Sequence, residues 1–286
     1  MIRLIVICLI FFKFSGGFAF ADEIIKFSDI FKYAELSSFA YKSDEDIRNR
    51  YGEDIFILNR LEQYDGNYFV IKDDNKNVIV ISIRGTANIE NAVVDAEFMK
   101  VKDDKLGIYL HDGFKKSTDE LYINLKDQII PFKENYIFEI TGHSLGGAMA
   151  AVLMMYMQND GFLVEKVITF GQPKVTNKDG VEKFGNAPLL RVSHEEDPVP
   201  LLPAKLYIPY PNGHFEHFGE EVILLKGSYF SYLDEAQAEE PKVSSWWANI
   251  FNQRIGDHSV IKYVRNIEQK LSESNKLPYV ERFKEE

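Results

Sequence analysis

Residues Gly142-His143-Ser144-Leu145-Gly146 set a serine in a Gly-x-Ser-x-Gly frame, between an apolar run and a run of small residues. Few arrangements of chain accept that pattern. Tyr136 to Thr141, apolar except for Glu139, reads as a strand, and Leu145 to Met155 reads as a helix. Asn159-Asp160-Gly161 then supplies a left-handed stop. A strand that turns at once into a helix strains the backbone at the turn and crowds the positions two residues to either side. Glycine at 142 and 146 removes that crowding, and Gly147 with Ala148 lets the helix sit close to the sheet. A serine hydroxyl is a poor nucleophile unless such a turn presents it and a base takes its proton. Ser144 is therefore the candidate nucleophile, with Gly142 and Gly146 in support.

The surrounding chain alternates strands with helices. Ser28 opens a capped amphipathic helix (Ile30, Phe31, Ala34, Leu36, Phe39, Ala40). Asn67 to Lys72 and Asn77 to Arg84 read as strands around the turn Asp73-Asp74-Asn75-Lys76. Gly113 to Pro131 reads as a helix with Phe114, Leu121, Ile123, Leu125 and Ile129 as its apolar points. Val164 to Phe170 is a strand ending in Gly171-Gln172-Pro173. Leu189 to Ser193 is another, before a loop stiffened by Pro198, Pro200 and Pro203. Glu221 to Leu225 is the last clear strand, Lys226 to Gly256 the least regular stretch, and Val260 to Leu271 a helix before a charged tail. This order predicts an α/β fold whose mainly parallel sheet is covered by helices on both faces.

The first residues carry Arg3, an apolar run from Leu4 to Phe12, Lys13, a Gly16-Gly17 break and Ala19-Phe20-Ala21. That is the pattern of a secretory leader cleaved after Ala21, which predicts a secreted or periplasmic protein. Residues 22–286, about 265 by subtraction of 21 from 286, suffice for one domain with an ordinary core. The only cysteine, Cys8, lies in the leader, so the mature chain would hold neither a disulfide nor a thiolate-bound metal. The formal charge is −11, and loss of Arg3 and Lys13 takes it to −13. A surface of that sign repels nucleic acid and anionic lipid, so contact with a lipid surface would be local and apolar. No other stretch reaches the roughly eighteen apolar residues that span a bilayer.

In a sheet of this kind the nucleophile is followed in the chain by an acid and then a base, each on a loop after a strand. Of the six histidines, His111 precedes Ser144 and His143 adjoins it with its side chain turned elsewhere. His258, last of the remaining four and just before the final helix, is the predicted base. His214 and His217 form an H-x-x-H pair with nothing nearby to complete a metal set, so no metal or cofactor is predicted. Asp197 follows the strand Leu189 to Ser193 and precedes Pro198, which would hold its carboxylate in place. Glu195 and Glu196 share that loop and leave a shift of one or two residues open. Asp257 is next to His258, where side chains diverge, and Asp179 lies in a polar turn region. The oxyanion formed in acyl transfer also needs donors. The Leu145 N–H is one, and Arg84-Gly85-Thr86, ending an earlier strand, offers another.

Taken together, Ile83-Arg84-Gly85-Thr86, His111-Asp112-Gly113-Phe114, Thr141 to Ala148, Thr169-Phe170-Gly171-Gln172-Pro173, Arg191 to Pro200 and Asp257-His258 resemble the class 3, or fungal-type, lipases of the α/β-hydrolase superfamily. The resemblance implies Ser144 as nucleophile, Asp197 as acid and His258 as base. It implies Thr86 in the oxyanion hole through its N–H and hydroxyl, Asp95 holding that hydroxyl, and a short lid over residues 87–94. The implied chemistry is hydrolysis of acyl-lipid esters at a lipid–water interface. Phospholipase A1 and acyltransferase activity would use the same residues, and an inactive binding protein could share the fold. Two features depart from the family: Asn91 is followed by Ala92 where a tryptophan is common in the lid, and disulfides are missing. Trp246-Trp247 could take over the apolar contact or simply pack within a loop.

Overall fold

The computed structural model describes residues 25–62, 66–86, 99–203, 212–234 and 255–278. The leader, residues 87–94, Asp95 and the Trp246-Trp247 pair all lie outside the described residues. Two helices come first, α1 (Phe27–Phe39) and α2 (Asp44–Tyr51), then strands β1 (Ile55–Arg60), β2 (Asn67–Asp73) and β3 (Val78–Ile83). A hairpin of β4 (Lys100–Asp103) and β5 (Ile108–His111) leads into α3 (Asp112–Ile129). The chain continues through β6 (Ile137–His143), α4 (Leu145–Asn159), β7 (Val164–Phe170), α5 (Lys178–Phe184) and β8 (Leu189–His194). It closes with β9 (Glu220–Leu224), β10 (Tyr229–Leu233), α6 (Val260–Glu268) and β11 (Asn275–Lys276).

One sheet runs in the order β1-β2-β3-β6-β7-β8-β9-β10-β11. Its centre, β3 through β9, is parallel, whereas β1-β2-β3 and β9-β10 are antiparallel. This is the α/β-hydrolase fold. Parallel strands are covered on both faces, which is why β3 reads as a nearly unbroken apolar run, with Ile79, Val80, Ile81 and Ile83 buried. One face packs under α3 and α4 through residues such as Leu121, Leu125, Val152 and Met155. The other packs under α1 and α6 through Ile30, Ala34, Phe170, Tyr263 and Ile267. Small polar residues on this second face are paired: Ser82 Oγ donates to the Leu36 carbonyl at 2.9 Å, and Ser37 and Thr141 exchange a hydroxyl bond at 2.9 Å. These bonds fix the C-terminal end of α1 against the centre of the sheet.

Several elements depart from the sequence reading. Ser28 is not a cap; α1 starts one residue earlier, after an extended Lys26 that makes no side-chain cap. Phe27 is pulled into the helix by its own burial, with its ring edge-on to Phe230 at 5.0 Å. Ile123 does not point into the core and is 76% exposed. Leu121, Leu125 and Ile129 recur every four residues along the inner face of α3, and a residue two positions off that row faces solvent. The last strand is not at 221–225: β10 follows β9 around Gly227 at φ +66°, and β11 pairs with β10. The final helix ends at Glu268 rather than Leu271. There Lys270 turns back into the protein and donates to the carbonyls of Leu225 and Gly227 at 2.9 and 2.7 Å.

Candidate active site

Ser144 sits between β6 and α4 at φ 61° and ψ −127°, a conformation that costs a non-glycine residue about 1–3 kcal/mol. The strain is held by tight backbone packing. A Cβ on Gly142 would lie 2.3 Å from the Gly146 carbonyl oxygen, and one on Gly146 would lie 2.3 Å from that of Ile83. The Ser144 N–H donates to the Phe170 carbonyl at 2.9 Å, tying the turn to the end of β7. The steric role read for Gly142 and Gly146 thus corresponds to contacts in the fold. Ser144 is buried, and its Oγ has no hydrogen-bond partner among the described residues. It stands at the N-terminus of α4, where unsatisfied N–H groups and the helix dipole favour developing negative charge. Leu145, the first residue of α4, contributes one of those N–H groups.

Asp197 is completely buried just beyond β8. Its Oδ2 accepts from His258 Nδ1 at 2.7 Å and from the Tyr263 hydroxyl at 2.6 Å, while Oδ1 accepts from the Val199 N–H at 2.9 Å. Burial alone would push this carboxyl up. The His258 charge and hydrogen bond, with the Tyr263 and Val199 donors, outweigh it and hold the group below the usual carboxylate range. Glu195 and Glu196 make no such bonds to His258; Asp197 is the loop carboxylate at the imidazole. Asp257, adjacent to His258, instead pairs with Lys262.

His258 closes a short 3-10 turn, Ile255–His258, directly before α6. Its Nε2, the atom opposite the Asp197 contact, is buried and, like Ser144 Oγ, without a hydrogen-bond partner among the described residues. The loop after β7 passes beneath the pair. Gly171 has φ +57°, and a Cβ there would stand 2.7 Å from His258 Cε1 and 3.0 Å from Asp197 Oδ2. Only glycine suits both the backbone angle and the space.

The segment after β3 runs against Ser144: a Cβ on Gly85, the residue before Thr86, would lie 3.1 Å from Ser144 Cβ. Asp95, expected to support Thr86, lies outside the described residues. Of the His214 and His217 pair, His217 Nε2 bonds to the Pro200 carbonyl at 2.6 Å. Among the described residues no group of three histidine, cysteine or acidic side chains is placed to hold a metal.

Three residues around Ser144, Asp197 and His258 escaped the sequence reading as members of the site. Tyr263 donates to Asp197 and accepts from the His194 N–H at 3.1 Å, yet its spacing with Val260 and Ile267 marks only a buried helix face. Lys174, fully buried, donates to the carbonyls of Leu201 and Pro203 at 2.9 and 3.1 Å and so braces the loop after Asp197. His143 is engaged with both Tyr41 and the main chain of His258. Only its place beside Ser144 hinted at a role, and Tyr41, Asp197, Leu201 and Pro203 each lie far in sequence from the side chain they meet.

Residues 80–207 match the family model described as Lipase (class 3). A secreted mono- and diacylglycerol lipase 1 from Fusarium solani is 36% identical over 142 residues, covering 47% of this chain and 42% of that protein. A lipase from Rhizomucor miehei is 33% identical over 172 residues, covering 55% of this chain and 45% of that protein. This chain therefore matches less than half the length of those two relatives. Among solved structures, a triacylglycerol lipase whose catalytic centre is described as a serine protease triad superposes with a TM-score of 0.59 at 27% identity. The superposition covers 70% of this chain and 81% of that one.

Proposed function

We propose that this chain, an α/β-hydrolase whose residues 80–207 belong to the class 3 lipases, is a serine hydrolase that cleaves carboxylic esters of acyl lipids. The observation that carries the reading is one constellation. Ser144 is strained at an elbow, and His258 is bonded to buried Asp197 through Nδ1, while Ser144 Oγ and His258 Nε2 have no hydrogen-bond partner among the described residues. A contact between nucleophile and base often tightens only when substrate arrives.

Ser144 Oγ attacks the ester carbonyl carbon while His258 Nε2 takes its proton, and Asp197 stabilises the resulting imidazolium through Nδ1–H. The carbonyl oxygen gains a negative charge that the N–H groups of Leu145 and Thr86, with the Thr86 hydroxyl, hold in place. Return of the proton to the leaving alkoxide releases the alcohol and leaves an acyl-Ser144 ester. Water, deprotonated by the same His258, then attacks that ester, and cleavage of the acyl–Oγ bond with return of the proton to Ser144 frees the acid. The role of Leu145 follows from its place at the start of α4, and those of Thr86 and Asp95 follow from the family resemblance. The relatives named as secreted lipases, together with the leader pattern of residues 1–21, support export of this chain.

The test uses the full chain with a panel of short esters, glycerides and phospholipids, below and above their aggregation thresholds. Ester cleavage that disappears in Ser144→Ala, with fluorophosphonate labelling of Ser144 in the parent, is the expected result. A Ser144→Ala protein that still cleaves p-nitrophenyl esters at the parental rate refutes it. A rate jump on crossing the threshold would mark an interfacial lipase, and a smooth curve an esterase.

A further inference from the structure

One chain of contacts joins the oxyanion segment to the base loop through two side chains outside the triad. We infer that Tyr41 and His143 are positioning residues that lock the main chain of His258 to the Gly85 turn, setting the aim of the base at Ser144. This inference rests on the hydrolase reading above.

His143 is buried, with Nε2 2.7 Å from the His258 carbonyl oxygen and Nδ1 2.8 Å from the Tyr41 hydroxyl. A carbonyl only accepts, so Nε2 must carry the ring hydrogen. The neutral ring then has a lone pair at Nδ1, and the Tyr41 O–H donates to it. The Tyr41 oxygen in turn lies against the Gly85 backbone. Each of the two bonds therefore has one direction: Tyr41 O–H to His143, His143 N–H to the His258 carbonyl. The contact at Gly85 is close enough that a Cβ there would stand 2.5 Å from the Tyr41 hydroxyl and 2.6 Å from the His143 carbonyl. Tyr41 itself is placed by the end of α1, which Ser82 and Ser37 fasten to the sheet.

The consequence for the reaction is geometric. The His258 ring is held at Nδ1 by Asp197, but that bond alone leaves the ring free to swing about it. Fixing the His258 carbonyl restricts the peptide that carries the ring. The anchor is His143, the residue immediately before the nucleophile, so base and nucleophile share one rigid reference. The anchor must also remain uncharged, because its ring lies 4.6 Å from that of His258, which receives the proton. Burial, followed by repulsion from the His258 charge, holds His143 down to about 3, which keeps it neutral while the base cycles. A histidine that merely filled core space would not need one defined tautomer.

Ring-15N-histidine spectra of the full chain read the lock whether or not any ester is cleaved. The signal that vanishes in His143→Gln is expected to be a neutral ring protonated at Nε2, with its Nδ1 shift altered in Tyr41→Phe. Ester kinetics supply the second arm. Tyr41→Phe, which keeps the ring and removes one oxygen, is expected to lower kcat about tenfold with KM within about twofold. His143→Leu is expected to lose more, and His143→Gln, which can still donate to the His258 carbonyl, to recover part of that loss. Because Tyr41 acts through His143, adding Tyr41→Phe to His143→Leu is expected to change nothing further. Hydrogen on Nδ1, a Tyr41→Phe kcat within twofold of the parent, or losses that multiply in the double variant would each overturn the lock. If the parent cleaves no ester, the hydrolase reading fails, and the spectra alone decide whether the lock exists.

Discussion

Tyr263→Phe isolates one oxygen at the centre of the site. The Tyr263 hydroxyl donates to Asp197 Oδ2 at 2.6 Å and accepts from the His194 N–H at 3.1 Å, and both Tyr263 and Asp197 are fully buried. A hydrogen bond to a charged group contributes about 1.5–3 kcal/mol, and the variant also leaves the His194 N–H without its acceptor, so the expected loss of stability is about 2–4 kcal/mol. The kinetic loss is smaller than removal of the acid. Val199 N–H and His258 still hold Asp197, so kcat is expected to fall about tenfold, against roughly ten-thousandfold when a triad aspartate is replaced by its amide. The pH dependence gives an independent reading. The Asp197 carboxyl is held low in the folded protein, so its stabilising contribution is present above its unfolded pKa and lost as pH falls through the folded one. Removing a donor raises the folded pKa and moves that loss to higher pH. Urea unfolding of both proteins at several acidic pH values, with ester kinetics at neutral pH, measures all three effects. A variant within about 0.5 kcal/mol of the parent, with unchanged kcat, would show that Tyr263 is only a core ring.

Further expectations follow from other contacts. Gly171→Ala forces a side chain into φ +57° and within 2.7 Å of His258 Cε1, so activity is expected to fall by at least about a hundredfold while the sheet stays folded; near-parental turnover with unchanged circular dichroism would refute it. His111 and His143 are pushed down to about 4 and about 3 by burial, so the unfolded chain binds protons there that the folded one does not as pH drops below about 6.5. Each then adds up to about 1.4 kcal/mol per pH unit to a rise of stability between about pH 4 and 6.5, and His143→Gln is expected to flatten that rise, as thermal or urea unfolding would reveal. Mass spectrometry of chain recovered from an exporting host is expected to find Asp22 as the first residue; an intact Met1 would refute cleavage after Ala21.

How much was legible depended on how far apart the interacting groups lie in the chain. The strand Val164 to Phe170 was read to the residue, and the elbow at Ser144 within two residues, because a buried parallel strand and a tight turn leave local marks: apolar runs and glycines. Asp197 and His258 stood out as candidates because they follow strands in chain order, but Glu195 and Glu196 were separated from Asp197 only by the observed bond to His258 Nδ1. The hidden elements were short or half-polar. β10, with its mixed Tyr-Phe-Ser-Tyr-Leu, gains its identity from pairing with β9; β1 opens with four apolar residues in a row and so shows no alternation, and α2 carries too few apolar residues to show a period.

The amino-acid order alone determined the elbow, the alternation that requires a doubly covered parallel sheet, and the residue types able to run acyl transfer. Those follow from backbone sterics and periodicity, which act over a few residues. Folding decided which groups meet: Tyr41 reaches His143, Tyr263 reaches Asp197, and Gly171 clears space for His258. Such partners, many tens of residues apart, are chosen by the packing of α1 and α6 on one face of the sheet, and no local pattern encodes that choice.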